Sequence, residues 1–117
     1  MSNRKPIILG DKPKMTISAT PIADVFTLAE IDWKVEFYAS RGSVFIRKED
    51  AVRIDDNTYA MRVDTRKTGT GRLMGVLHPN IPDRESESGY YTPPVPFDTG
   101  EEVVSQYYLR EYGVHNK

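Results

Sequence analysis

The chain has no cysteine, and its 117 residues include only two histidines and one tryptophan. Without thiols there are no disulfides and no thiolate zinc sites, which suits a reducing cytoplasm or assembly inside a cell. The histidines, His78 and His115, lack any HxxxH-type spacing, so they offer no metal pair. No segment approaches the roughly 20 apolar residues that cross a bilayer. The amino-terminal stretch MSNRKPIILGDKPK has only three consecutive apolar residues and is no signal peptide. The expectation is a soluble protein that is not secreted by that route. A formal net charge of -1 provides no whole-domain field to draw in nucleic acid.

What the chain does have is length enough for one core. Folding at this size removes roughly 65% of the unfolded chain's surface from water, so a single domain stands without staples. Charge is segregated along it. Eight basic and five acidic residues fall between Arg41 and Arg72, whereas six acidic residues and one arginine fall between Asp83 and Glu102. Such asymmetry lets copies of the chain, or chain and partner, meet with opposite faces.

Alternation dominates the pattern. Ile31, Trp33, Val35, Phe37 and Ala39 share one face, while Asp32, Lys34, Glu36 and Tyr38 share the other. Helical spacing would scatter these apolar groups around an axis, so the period of two predicts a strand. Further strands are expected at 6–9, 14–19, 43–48 and 52–55, with Tyr59, Met61 and Val63 inward on the next. Leu73 to Ile81 forms another, where Gly75 marks a bulge or a close backbone approach. Arg41-Gly42-Ser43 and Asp56-Asn57 supply turns. The run RESESGYYTPPVPFD at 84–98 reads as a long loop before a last strand around Glu102 to Gln106. Regularly spaced strands with turn signals between them predict an all-β, Ig-like antiparallel β-sandwich of about seven strands over residues 1–105. Residues 106–117 form an extended tyrosine-rich C-terminal tail.

Candidate chemistry is thin. Thr68-Gly69-Thr70-Gly71-Arg72 lacks the Gly-Lys-Ser/Thr ending of a phosphate loop and precedes a strand, so the glycines mark a corner of positive φ. Asp55-Asp56-Asn57 and Asp83-Arg84-Glu85 carry clustered oxygens without the EF-hand spacing. No GxSxG nucleophile elbow is present, and the carboxylates fall mostly on outward strand positions. No catalytic residue, cofactor or metal is expected. Trp33 and Tyr59 belong to the core. Tyr90, Tyr91, Pro94 and Phe97 lie in a proline-stiffened aromatic stretch suited to docking. Tyr107, Tyr108 and Tyr112 crowd the tail with side chains enriched in protein interfaces. An aromatic loop also suits a carbohydrate- or cell-surface-binding module, which is the alternative reading.

The motifs IDWKVEF (31–37), TGTGRL (68–73), IPD (81–83) and DTG (98–100) together resemble those of small β-sandwich structural proteins of tailed bacteriophages. The resemblance is greatest to those of Bacteroidetes phages and prophages, crAss-like phages included. In them a Trp-centred strand, a Gly-x-Gly-x-Leu hairpin and an Ile-Pro-Asp turn recur in this order. It covers about residues 14–104 and leaves the tyrosine-rich tail without a counterpart. The resemblance implies a non-enzymatic virion protein of the tail, collar or baseplate, assembled in the bacterial host cytoplasm. It would be present in several copies beside other tail and collar proteins, with no membrane and no direct nucleic-acid contact.

Overall fold

The computed structural model describes residues 6–19 and 26–105. Nine strands and one short helix follow one another in these residues. They are β1 (Ile7–Ile8), β2 (Lys14–Ser18), β3 (Asp32–Tyr38), β4 (Ser43–Arg47), β5 (Val52–Asp55), β6 (Thr58–Arg62), α1 (Thr65–Thr68), β7 (Gly71–Pro82), β8 (Tyr90–Tyr91) and β9 (Val95–Val104). A 3-10 turn at Lys48–Asp50 joins β4 to β5. The protein is all-β in class.

The strands form two sheets packed together. The larger has the order β1-β9-β7-β3-β4, with β8 added to the far end of β7, and the smaller has the order β2-β6-β5. Neighbours are antiparallel except β1, which runs parallel to β9 and pairs Ile7 with Val103 and Ile8 with Val104. β7 is the spine: Val35 lies opposite its Leu77 on one side, and Phe97 lies opposite its Gly75 on the other.

The period of two decides which side chains go inside. On β3, Trp33, Val35 and Phe37 are buried while Asp32 and Lys34 are exposed. Tyr59 and Met61 of β6 and Met15 and Ile17 of β2 come from the opposite sheet to meet them. Trp33 bridges the layers. Its ring meets Tyr59 edge-on at a centroid distance of 5.0 Å, and its Nε1 donates to the Leu28 carbonyl at 3.1 Å. Burying an aromatic of this size contributes about 2–3 kcal/mol, and the indole N–H needs its partner to avoid an offsetting penalty. Ala60 faces outward yet is buried, because Thr16 and Val52 flank it in register from both sides.

Two expectations are corrected. Residues 84–98 are not one long loop: β8 occupies 90–91, and β9 begins at Val95 rather than near Glu102 and ends at Val104. Pro96 is tolerated because β9 has no second neighbour there, β1 reaching only Val103 and Val104. The strands Tyr59–Val63 and Leu73–Ile81 are also not two arms of a Gly-x-Gly hairpin, since β6 and β7 lie in different sheets. Between them Asp64 caps α1 by accepting from the Arg66 N–H at 3.1 Å. The fully buried Thr65 accepts from the Gly10 N–H at 2.9 Å and donates to the Asp11 carbonyl at 2.7 Å. The glycines of this corner do take positive φ, 83° at Gly69 and 107° at Gly71.

Gly75 is the close approach that its place in a strand suggested. The Phe97 ring lies flat against it from the neighbouring strand, where a Cβ would stand. Gly75→Ala is therefore expected to lower stability by about 1–3 kcal/mol in urea unfolding. Combined with Phe97→Leu, its effect should fall short of the sum of the two single changes by at least about 0.5 kcal/mol. Strict additivity would show that the ring and the glycine are not coupled.

Candidate functional site

The described residues that sequence reasoning marked for contact gather at one end of the molecule, where β7 stops. Beyond Pro82 the chain turns at 83–89 and returns as β8, pairing Tyr91 with Ile81 and Tyr90 with Pro82. The turn is tied internally. The Asp83 N–H donates to the Gly89 carbonyl at 2.9 Å, and the Asp83 carboxylate accepts from the Glu85 N–H at 3.0 Å. Ser88 Oγ donates to the Tyr90 carbonyl at 3.1 Å, and Gly89 reverses the chain at φ 84°. Both tyrosines are thus held by their backbone while half of each side chain remains in solvent, 50% for Tyr90 and 55% for Tyr91.

Pro94 is exposed just beyond them, and Val95 begins β9 with its side chain also exposed. Phe97 differs from its neighbours. It is half-buried, edge-on to Phe37 at 5.9 Å and pressed on Gly75, so most of its ring is spent on the core. Tyr107, Tyr108 and Tyr112 lie outside the described residues.

An apolar cleft of about 430 Å³ beside this end has no signature in the sequence. It opens between the sheets where Ile17 of β2 faces Leu77 and Ile81 of β7, with Leu28, Val95 and Phe97 completing its walls. Its lining comes from segments far apart in sequence, and no periodicity within one strand signals such a gap. The cleft is continuous with the tyrosine hairpin through Ile81, which pairs with Tyr91, and through Val95.

The outer face of the larger sheet carries His78. Its Nε2 lies 3.8 Å from a Glu36 carboxylate oxygen and makes no hydrogen bond among the described residues. The ring lies 6.2 Å from that of Phe45, over which the Lys34 ammonium sits at 5.1 Å. Among the described residues no group of three or more His, Cys, Asp or Glu side chains converges as a metal site would require. Asp55 instead accepts from the Asn57 N–H at 2.9 Å, which holds its carboxyl below the ordinary value, and Asp56 pairs with Arg53.

The best-formed ion pair links the start of β7 to β9. Arg72 Nε donates to both oxygens of Asp98 at 3.0 Å, and the Gly100 N–H reaches the same carboxylate at 2.8 Å. The Arg72 hydrogen bonds, followed by that from Gly100, hold the Asp98 carboxyl below its usual range. A depressed carboxyl contributes stability above the ordinary value of about 3.9 and loses it as the pH falls through the lower folded value. Both groups are exposed, so the contribution is small. Urea unfolding at neutral pH and near pH 3 is expected to show a smaller acid-induced loss for Asp98→Asn than for the parent chain. Equal losses would remove Asp98 from the pH dependence.

No family model, curated protein or solved structure matches this chain, so its functional reading rests on the geometry above.

Proposed function

We propose that this chain is a non-enzymatic structural component of a tailed-phage virion. In this reading it is an Ig-like adaptor of the tail, collar or baseplate that works in several copies. The strand order supports the Ig-like part. β4, β3, β7 and β9 correspond to strands C′, C, F and G of an immunoglobulin sandwich, and β2, β6 and β5 to B, E and D. Trp33 then corresponds to the buried tryptophan of strand C, here packed on Tyr59 in a chain without a disulfide. The resemblance of the IDWKVEF, TGTGRL and IPD motifs to phage sandwich proteins supports the virion part.

One observation carries the docking role: Tyr90 and Tyr91 stand half in solvent on a hairpin braced by its own hydrogen bonds. Rigid exposed tyrosines lose little conformational entropy on binding and bring large contact areas. A second reading is favoured by a polar hollow of about 490 Å³ on the larger sheet. Asp32, Arg47, Asn80 and Thr92 line it, and Thr92 follows Tyr91 directly. Donors, acceptors and an adjacent aromatic suit a sugar-binding module.

Mass spectrometry of purified particles from the host is expected to detect this chain with tail proteins, and its absence from particles would overturn the virion reading. The double change Tyr90→Ala and Tyr91→Ala should leave urea stability within about 0.5 kcal/mol. It should weaken binding to neighbouring tail proteins at least about tenfold, which is 1.4 kcal/mol. A glycan array with binding abolished by Tyr91→Ala would favour the second reading instead.

A further inference from the structure

Charge is distributed end to end. β7 spans twelve residues, about 40 Å. At its start lie α1, the turn after β1 and the β3–β4 hairpin, joined by the Arg41 N–H to the Thr68 carbonyl at 3.0 Å and by Gly10 to Thr65. Lys12, Lys14, Arg41, Arg62, Arg66 and Lys67 are all exposed at this end. The carboxylates nearby are already engaged or set apart: Asp64 caps α1, the Asp11 carboxylate lies toward the Ile8 N–H, and Glu102 faces Arg72. The ion pairs seen between described residues, Arg53–Asp56, Arg72–Asp98 and His78–Glu36, use none of these six cations.

The other end is the reverse. Around the tyrosine hairpin, the 3-10 turn and the β5–β6 turn stand seven carboxylates (Asp83, Glu85, Glu87, Glu49, Asp50, Asp55 and Asp56) against the four basic residues Arg47, Lys48, Arg53 and Arg84. One of those four, Lys48, has its ammonium tied to the Ala29 and Ile31 carbonyls at 2.9 and 2.7 Å. Asp83, Glu85 and Glu87 border the exposed Tyr90 and Tyr91. The two ends match in two independent ways, since arginine pairs with carboxylate and also stacks on a tyrosine face.

We propose that the α1 end of one copy docks on the tyrosine-hairpin end of a second copy. Arg41, Arg66 and Lys67 meet Glu85, Glu87 and the two tyrosines. The proposal rests on the reading of the chain as a multicopy structural component and names its self-contact. Opposite ends are used, so the interface is heterologous and propagates head to tail into a ring or a filament.

Sedimentation velocity of the full chain tests this. In about 0.05 M salt the mass is expected to rise with protein concentration, and in about 0.5 M salt the rise should disappear as screening shortens the reach of the charges. Reversing one end by Arg66→Glu with Lys67→Glu, or the other by Glu85→Lys with Glu87→Lys, should weaken self-association at least about tenfold. Mixing the two variants should restore it, because each then presents a matching end to the other. All four side chains are exposed, and unchanged urea midpoints would confirm that both variants fold. Salt-insensitive association, association that survives either reversal, or a mixture that stays monomeric would each overturn the interface. Particles that contain the chain while the isolated protein is monomeric in low salt would overturn this contact alone and leave the virion reading standing.

Discussion

The contact between Trp33 and Tyr59 is the constraint on which the remaining architecture depends. Trp33 belongs to the larger sheet and Tyr59 to the smaller, so their edge-on packing sets how the two layers face each other. The indole also donates to Leu28, which anchors the turn entering β3. Because side chains alternate at a period of two, the position of one tryptophan commits Val35 and Phe37 to the interior and Lys34 and Glu36 to the exterior. A one-residue slip against β7 would expose the whole apolar set, so burial fixes register as well as stability.

Among the described residues, β4 is an outermost strand of the larger sheet and β2 and β5 are the outermost strands of the smaller. Exposed backbone along an edge invites pairing with another chain. Here the edges are blunted by different means. Proline at 96 removes a donor from β9, a register shift interrupts β5 between Arg53 and Asp55, and β2 and β4 end in exposed Lys14 and Arg47. Strand addition is thereby discouraged along the flanks. At the ends of the molecule, loops and short hairpins hold side chains that no ladder requires.

β3 was fully legible in the sequence because its alternation persists from Ile31 to Phe37. β9 was not, although four of its ten residues also alternate inward. The inward set is Phe97, Thr99, Glu101 and Val103, in which two polar residues break the apolar signal, and prolines at its start read as loop. α1 is four residues long, less than the span over which a helical period can be counted, and its hydrogen bonds reach Gly10 and Asp11 more than fifty positions away. The tyrosines were found as exposed aromatics because proline and glycine punctuate their neighbourhood. Phe97 carries the same local signature, but its surroundings are set by Gly75 on another strand. The cleft between β2 and β7 arises only from how two sheets meet, which no single segment encodes.

Segregation of charge is the feature that crosses from sequence to surface most directly. Arg41, Arg62, Arg66 and Lys67 come together at the α1 end and Asp83, Glu85 and Glu87 in the turn at the other, whereas Lys48 to Asp56 lie toward the acidic end and Asp98 and Glu102 lie beside Arg72. The separation of the two ends is the length of β7, about four Debye lengths at 0.1 M salt, so within one copy they do not neutralise each other. Pairing either end with its own copy across a two-fold axis would set like charges together. In the proposed end-on contact, a head-to-tail order sets each end against its opposite. Three of the six cations at the basic end are arginines, Arg41, Arg62 and Arg66, and a planar guanidinium pairs with carboxylates and stacks on tyrosine in the same contact. In the proposed contact, long-range charge would govern approach while the braced tyrosines supply the buried area, a division by which ionic strength would control assembly without disturbing the fold.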